Sequence, residues 1–269
     1  SHIIGYLGIG NGPDDWNGLT GIEHRYNKDL KGANSKDAAR IFLDAKGRFI
    51  SGLGYQVDEG LADRARKNVI LTIDWEIQEA VEKAMETAGV KKGAAVIMDT
   101  STGDILALAS RPDYQLETDR TLESQAENSF LNYSLSLFQP GSVFKVVLAA
   151  AALEEGLVSP EDTFFCAGSK DVLVSCYLEE GHGDLTLGEA LIVSCNPTFA
   201  RVGLKLGAEK LIEYTNKFGF DTADIIGYQT IDRTKAVDRI RERFNLVNAS
   251  IGQWPVEANV VQVNAMITA

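Results

Sequence analysis

The 269 residues, 45% of them hydrophobic and 24% charged, suffice for one large core or two modest domains and exclude a low-complexity or fixed-period repeat architecture. With 26 basic against 38 acidic residues the net charge is −12, which argues against nucleic acid as a partner, because a protein that tracks phosphates needs a basic face. No apolar run approaches the roughly 20 residues that a bilayer demands; the longest, residues 146–153, has eight.

The chain opens at Ser1-His2-Ile3-Ile4 with no initiator Met, and reads as a piece of a longer protein whose membrane anchor lies elsewhere. Gly5, Gly8, Gly10 and Gly12 crowd the start. Pro13-Asp14-Asp15 follows where a dinucleotide-binding loop would need a helix, so turns are expected there. Residues 39–44 and 47–50 read as short strands around a turn at 44–47. Residues 1–68 hold too little apolar surface to form a core alone, and are expected to rest on the second half or on chain outside this sequence.

From Val69 the texture changes. Residues 69–73 read as a strand, and Asp74 is placed to cap a helix that runs to about Ala88 and stops at Gly89. Two apolar runs, 94–98 and 104–109, flank the turn residues Asp99-Thr100-Ser101-Thr102-Gly103, which predicts a β-hairpin. Residues 113–128 are polar and read as a loop. Helices dominate afterwards. One spans 143–155, closed by Gly156. A second, to about Val193, starts from a Thr186–Glu189 capping box. A third is capped by Asn196 with Pro197 at its first position and ends at Gly207. Residues 208–218 and 260–269 complete the helical set. Strands first and helices after indicate an α+β fold rather than a βαβ repeat.

The cysteines are Cys166, Cys176 and Cys195. Three is odd, so at least one stays free or pairs between chains. There is no Cys-x-x-Cys, and a zinc site using His182 is disfavoured because the ligand spacing is wrong. No metal or cofactor is expected.

The chemistry concentrates in Pro140-Gly141-Ser142-Val143-Phe144-Lys145. Ser142 sits where a helix begins and Lys145 lies three residues on, on the same face. A serine hydroxyl is a poor nucleophile until a base takes its proton, and a lysine serves when burial lowers its pKa. The helix start also offers N–H groups to a developing oxyanion. Ser-x-x-Lys alone usually marks solvated helix surface, but here the apolar run 146–153 makes the helix apolar almost all round and therefore buried. A second element, Ser194-Cys195-Asn196, falls between two helices. By itself it is weak, since Ser and Asn are ordinary N-caps. In this order the two elements form part of the set used by penicillin-binding proteins and class A β-lactamases.

With these residues the chain resembles the class B penicillin-binding proteins, the monofunctional D,D-transpeptidases of peptidoglycan. Gly93-Ala94-Ala95-Val96-Ile97-Met98-Asp99 with Thr102-Gly103-Asp104-Ile105-Leu106-Ala107 is similar to the family's first sheet hairpin. Gly181-His182-Gly183, Leu185-Thr186-Leu187 and Glu189-Ala190-Leu191 are similar to its approach to the Ser-x-Asn loop, and Ser250-Ile251-Gly252-Gln253 to its Ser-Ile-Gly-Gln-Gly segment, with Trp254 replacing the last Gly. Residues 18–32 resemble the end of the pedestal domain.

The resemblance implies a serine β-lactamase/D,D-peptidase-like transpeptidase domain over 69–269. It implies an antiparallel sheet flanked by helices with a helical subdomain, incomplete at its C-terminus, and a preceding pedestal part over 1–68. It also implies roles. Ser142 attacks the penultimate D-Ala carbonyl of a donor stem peptide, Lys145 takes its proton, Ser194 relays protons to and from the amines, and Asn196 binds the donor amide and steadies Lys145. Stem peptides, β-lactam antibiotics and cell-wall synthesis proteins are the implied partners, at the extracytoplasmic face of the bacterial membrane. There disulfides persist; Cys166 and Cys176 are expected near each other, either closing a short loop or as two unrelated thiols. One departure is clear: no Lys-Thr-Gly-type triplet follows Asn196. A β-lactamase or carboxypeptidase on the same fold, or a module sensing β-lactams or muropeptides, are the alternative readings.

Overall fold

The computed structural model describes residues 2–10, 15–32, 38–43, 46–48, 50, 55–58, 66–114, 128–222, 224–225, 228–229 and 234–269. The chain forms two compact units, one of residues 1–72 with 113–126, the other of 73–112 with 127–269.

In the first unit, strands β1 (Leu7–Ile9) and β2 (Trp16–Gly18) pair antiparallel, Leu7 opposite Gly18. Two single-turn helices follow, α1 (Gly21–Arg25) and α2 (Asn27–Lys31). Ile3 and Ile22 are buried, and His2 and Tyr6 each meet the ring of Tyr114 edge-on. Strand β3 (Ala38–Ile41) pairs antiparallel with β4 (Tyr55–Asp58). The expected partner over 47–50 is thus not the main one. Among the described residues, the Ile50 N–H bonds the Phe42 carbonyl at 3.2 Å and ties that segment back. The expected strand over 69–73 is also not formed. Its β-branched residues suit a strand, but among the described residues it joins no strand ladder, and Ile70 is 93% exposed. The turn at 44–47 and the loop at 113–128 lie largely outside the described residues.

In the second unit Asp74 caps α3 (Trp75–Thr87), accepting from the N–H groups of Glu76 and Ile77 at 2.9 and 3.1 Å. Strands β5 (Gly93–Met98) and β6 (Ile105–Arg111) form the expected hairpin, Val96 opposite Leu108, with the Asp99 carboxylate bonding the Ser101 and Thr102 N–H groups in the turn. Helix α3 lies on β6 and bonds it directly: the Gln78 side chain accepts from the Leu108 N–H and donates to the Leu108 carbonyl.

The helical part surrounds α4 (Lys145–Glu154), which continues a 3-10 turn over Gly141–Phe144. Phe144, Val147, Leu148, Ala151 and Ala152 are wholly buried. Burying a Val, Leu or Phe side chain contributes about 1.5–3 kcal/mol, so this apolar run anchors the helix. It packs against α6 (Asn196–Leu206) and α7 (Ala208–Lys217), where Phe199, Val202 and Leu211 are equally buried. A hairpin not foreseen from sequence, β7 (Thr163–Cys166) with β8 (Gly183–Thr186), precedes α5 (Leu187–Ile192), whose Thr186–Glu189 capping box is present. Then follow β9 (Asp224–Ile225), β10 (Tyr228–Gln229), α8 (Thr234–Asp238), α9 (Arg243–Ala249) and α10 (Val260–Thr268). Helix α10 covers β5, and the Asn264 amide donates to the Val96 carbonyl at 3.0 Å. The α+β expectation holds.

Candidate active site

The approach to Ser142 is held by backbone bonds. Phe138 and Ala258 exchange N–H···O bonds at 2.9 Å, and the Gly141 N–H donates to the Gly252 carbonyl at 2.8 Å. Gly252 has φ +73°, and a Cβ there would lie 1.9 Å from the Gly141 carbonyl oxygen, so only glycine fits. This explains locally why Ser250-Ile251-Gly252-Gln253 accompanies Pro140-Gly141-Ser142. A similar close approach occurs at Gly203 in α6, where a Cβ would meet Ser250 Oγ at 1.7 Å.

Ser142 stands exposed in the 3-10 turn, and Lys145 opens α4 wholly buried. In a 3-10 turn residues i and i+3 eclipse, so the two share a face. Lys145 Nζ donates to the Ser194 carbonyl at 2.8 Å, Ser194 Oγ at 2.9 Å and Asn196 Oδ1 at 2.7 Å. Three ammonium protons thus meet three acceptors. Among the described residues none of these bonds goes to Ser142, so the expected contact between amine and serine hydroxyl is not made in this protonated arrangement. Burial pushes the lysine amine down to about 8, against the opposing influence of Cys195 and Cys176.

The acceptors are positioned by an unusual loop. Ser194 has φ +53°, a left-handed conformation that costs a non-glycine residue about 1–2 kcal/mol. The α5 end holds it, with Ser194 N–H on the Leu191 carbonyl and Cys195 N–H on that of Ala190. The N-cap of α6 is Cys195, not Asn196 as expected. Asn196 is the first helical residue, and its side-chain oxygen goes to Lys145 instead of capping the helix.

Next to this loop the structure brings together four residues that spacing in the sequence keeps apart. Cys166, Cys176, His182 and Cys195 come together, with ligand atoms all within 4.8 Å of one another. The spacing looked wrong because the site is built by tertiary structure: β7–β8 pairing sets Cys166 opposite Gly183, beside His182. The intervening loop folds back, Cys176 N–H on the Gly168 carbonyl. Cys166 and Cys176 lie near each other as expected, and all three cysteines are free thiols. Although burial pushes it up, donors from His182 and the Gly168 backbone hold the Cys166 thiol at about 7. Sequence reasoning also missed Asp171, whose buried carboxylate pairs with Arg201 at 2.9 Å and ties this loop to α6.

Residues 93–269 match the family described as penicillin binding protein transpeptidase domain. The chain is 34% identical over 228 residues to stage V sporulation protein D of Bacillus subtilis, covering 82% of this chain and 34% of that protein. It is 30% identical over 274 residues to the peptidoglycan D,D-transpeptidase PbpA of Mycolicibacterium smegmatis, covering 93% of this chain and 52% of that one. It therefore spans about a third to a half of the length of these curated relatives. Among solved structures, Pseudomonas aeruginosa PBP2 in complex with WCK 5153 superposes with a TM-score of 0.75 at 24% identity, over 100% of this chain and 62% of that one, a likeness of fold.

Proposed function

Since the chain belongs to the penicillin-binding protein transpeptidase family, we propose that it carries the acyl-transfer centre of a peptidoglycan D,D-transpeptidase, with Ser142 as nucleophile. The observation that carries this reading is a fully buried Lys145, one turn after an exposed Ser142, held by Ser194 and Asn196.

In this mechanism one proton leaves the lysine before reaction, which its lowered pKa makes accessible near pH 8. The neutral amine takes the Ser142 proton as Oγ attacks the penultimate D-Ala carbonyl of a donor stem peptide. The N–H groups of the first helical turn face the developing oxyanion. The C–N bond to the terminal D-Ala then breaks, and the leaving amine receives a proton from Lys145 through Ser194 Oγ, already bonded at 2.9 Å. Asn196 orients the lysine and the donor amide. An acceptor amine repeats the sequence in reverse, giving the cross-link. β-Lactams enter as donor mimics and remain on Ser142. Residues 1–68 are proposed to be the end of a pedestal domain and 69–269 the transpeptidase domain. The centre would act on the extracytoplasmic face of the membrane, alongside other cell-wall synthesis proteins.

Turnover of a D-Ala-type thioester donor with a D-amino acid acceptor tests the reaction class. Aminolysis product is expected to accumulate. Hydrolysis that outpaces aminolysis at saturating acceptor would place the chain with the hydrolases instead.

A further inference from the structure

Four groups that the acyl transfer does not use lie directly behind the Ser194–Asn196 loop. Cys166 ends β7, Cys176 sits in the following loop, His182 precedes β8, and Cys195 is the N-cap of α6. The three cysteines are buried, and His182 is partly buried. His182 Nδ1 lies 3.6 Å from Cys166 Sγ and 3.4 Å from Cys176 Sγ. A tetrahedral ion with metal–sulfur bonds of about 2.3 Å and metal–nitrogen bonds of about 2.0–2.1 Å would set these edges at about 3.6 Å.

The surroundings prepare the ligands. The Tyr177 hydroxyl donates to the Val193 carbonyl at 3.0 Å and lies 3.3 Å from His182 Nε2. Its own proton is committed, so it accepts one from Nε2–H, which leaves the Nδ1 lone pair aimed at the two sulfurs. Thr198 Oγ1 donates to Cys195 Sγ at 3.3 Å, opposing the burial that pushes this thiol up.

We propose that Cys166, Cys176, His182 and Cys195 bind one zinc ion. Three sulfurs and an imidazole select a soft or borderline cation over magnesium or calcium. Four protein ligands leave no open position, so the site is structural and supplies no Lewis-acid chemistry. Loading displaces any remaining thiol protons. Cys195 stands between Ser194 and Asn196, so the ion would bind the β7–β8 hairpin to the loop that holds Lys145. That consequence, though not the site itself, rests on the transpeptidase reading.

The test is titration of the reduced, metal-stripped 269-residue protein with Co²⁺, followed by displacement with Zn²⁺. The expected result is one equivalent bound, with intense visible bands of tetrahedral cobalt and sulfur-to-cobalt charge transfer, both lost on adding Zn²⁺. Cys166→Ser and Cys195→Ser should each weaken Co²⁺ binding by at least about 100-fold. Tyr177→Phe, an exposed residue that is not a ligand, should weaken it by about tenfold, at the low end for partners of metal ligands. This variant and the wild-type titration decide the matter even if a serine variant fails to fold. No stoichiometric binding, or spectra unchanged in Cys166→Ser and Cys195→Ser, would overturn the site. So would a native Cys166–Cys176 disulfide with no metal bound after reduction. The readout is independent of acylation. A protein that binds cobalt but leaves Ser142 unacylated keeps the site and loses the functional reading, and acylation without metal binding does the reverse.

Discussion

Lys145 shows how much one side chain can carry. A buried ammonium is costly unless all its protons are taken, and here the three acceptors come from a loop 49–51 positions further along the chain. Lys145→Met removes base and charge together, and penicillin acylation is expected to fall by about 10²–10⁴. In the wild type that rate should rise with pH through about 8 as the amine becomes neutral, a rise the variant lacks. Stability follows by linkage. The folded state holds the amine at about 8 against an ordinary 10.5, so between those values the unfolded chain binds more protons. Relative to Lys145→Met, wild-type stability should climb as pH rises from about 8 toward 10.5, with the desolvation cost fully present below about 8. Urea midpoints of both proteins on either side of pH 8 check the sign. Spacing alone related Lys145 to Ser142; its grouping with Ser194 and Asn196 came from the family resemblance. The Cys166, Cys176, His182 and Cys195 cluster was not legible, because it depends on a hairpin register and a helix cap that no local pattern announces.

At the scale of elements, the nucleophile's turn is set by a backbone contact rather than by its own helix. Gly252→Ala would drive a Cβ into the Gly141 carbonyl at a positive φ, so stability should fall by more than about 1 kcal/mol. Displacing the turn should also slow acylation, by up to about 10² for a shift near 1 Å. Thr186→Ala is the contrast. It removes the α5 capping box, costs about 1 kcal/mol, and should leave acylation of the folded protein unchanged. Urea midpoints and acylation rates of the two variants separate the cases. Helices with caps or glycine stops were legible: Asp74, Thr186–Glu189 and Gly207 all sit at real ends. The β7–β8 hairpin was not, since its two four-residue strands are joined by 16 residues without a tight-turn signal. Residues 69–73 misled for the opposite reason, strand-like composition that enters no strand ladder among the described residues.

For the molecule as a whole, a net charge of −12 argues against phosphate tracking, and Ser142, Lys145, Ser194 and Asn196 all fall in the second compact unit. No Lys-Thr-Gly-type triplet follows Asn196 in these 269 residues. In the family that motif lines the cleft and completes the oxyanion hole. The chain by itself is therefore expected to be acylated at least about 10²–10³ more slowly than a longer form carrying such a triplet, the cost of one lost oxyanion donor. Second-order rate constants with a fluorescent penicillin measure this, and equal rates would mean that another segment supplies the donor. The central claim is the identity of the nucleophile, and intact-mass measurement after prolonged exposure to saturating benzylpenicillin addresses it most directly. The account predicts that the wild-type chain gains the mass of one whole antibiotic and that Ser142→Ala gains none. Equal labelling of the two would contradict it.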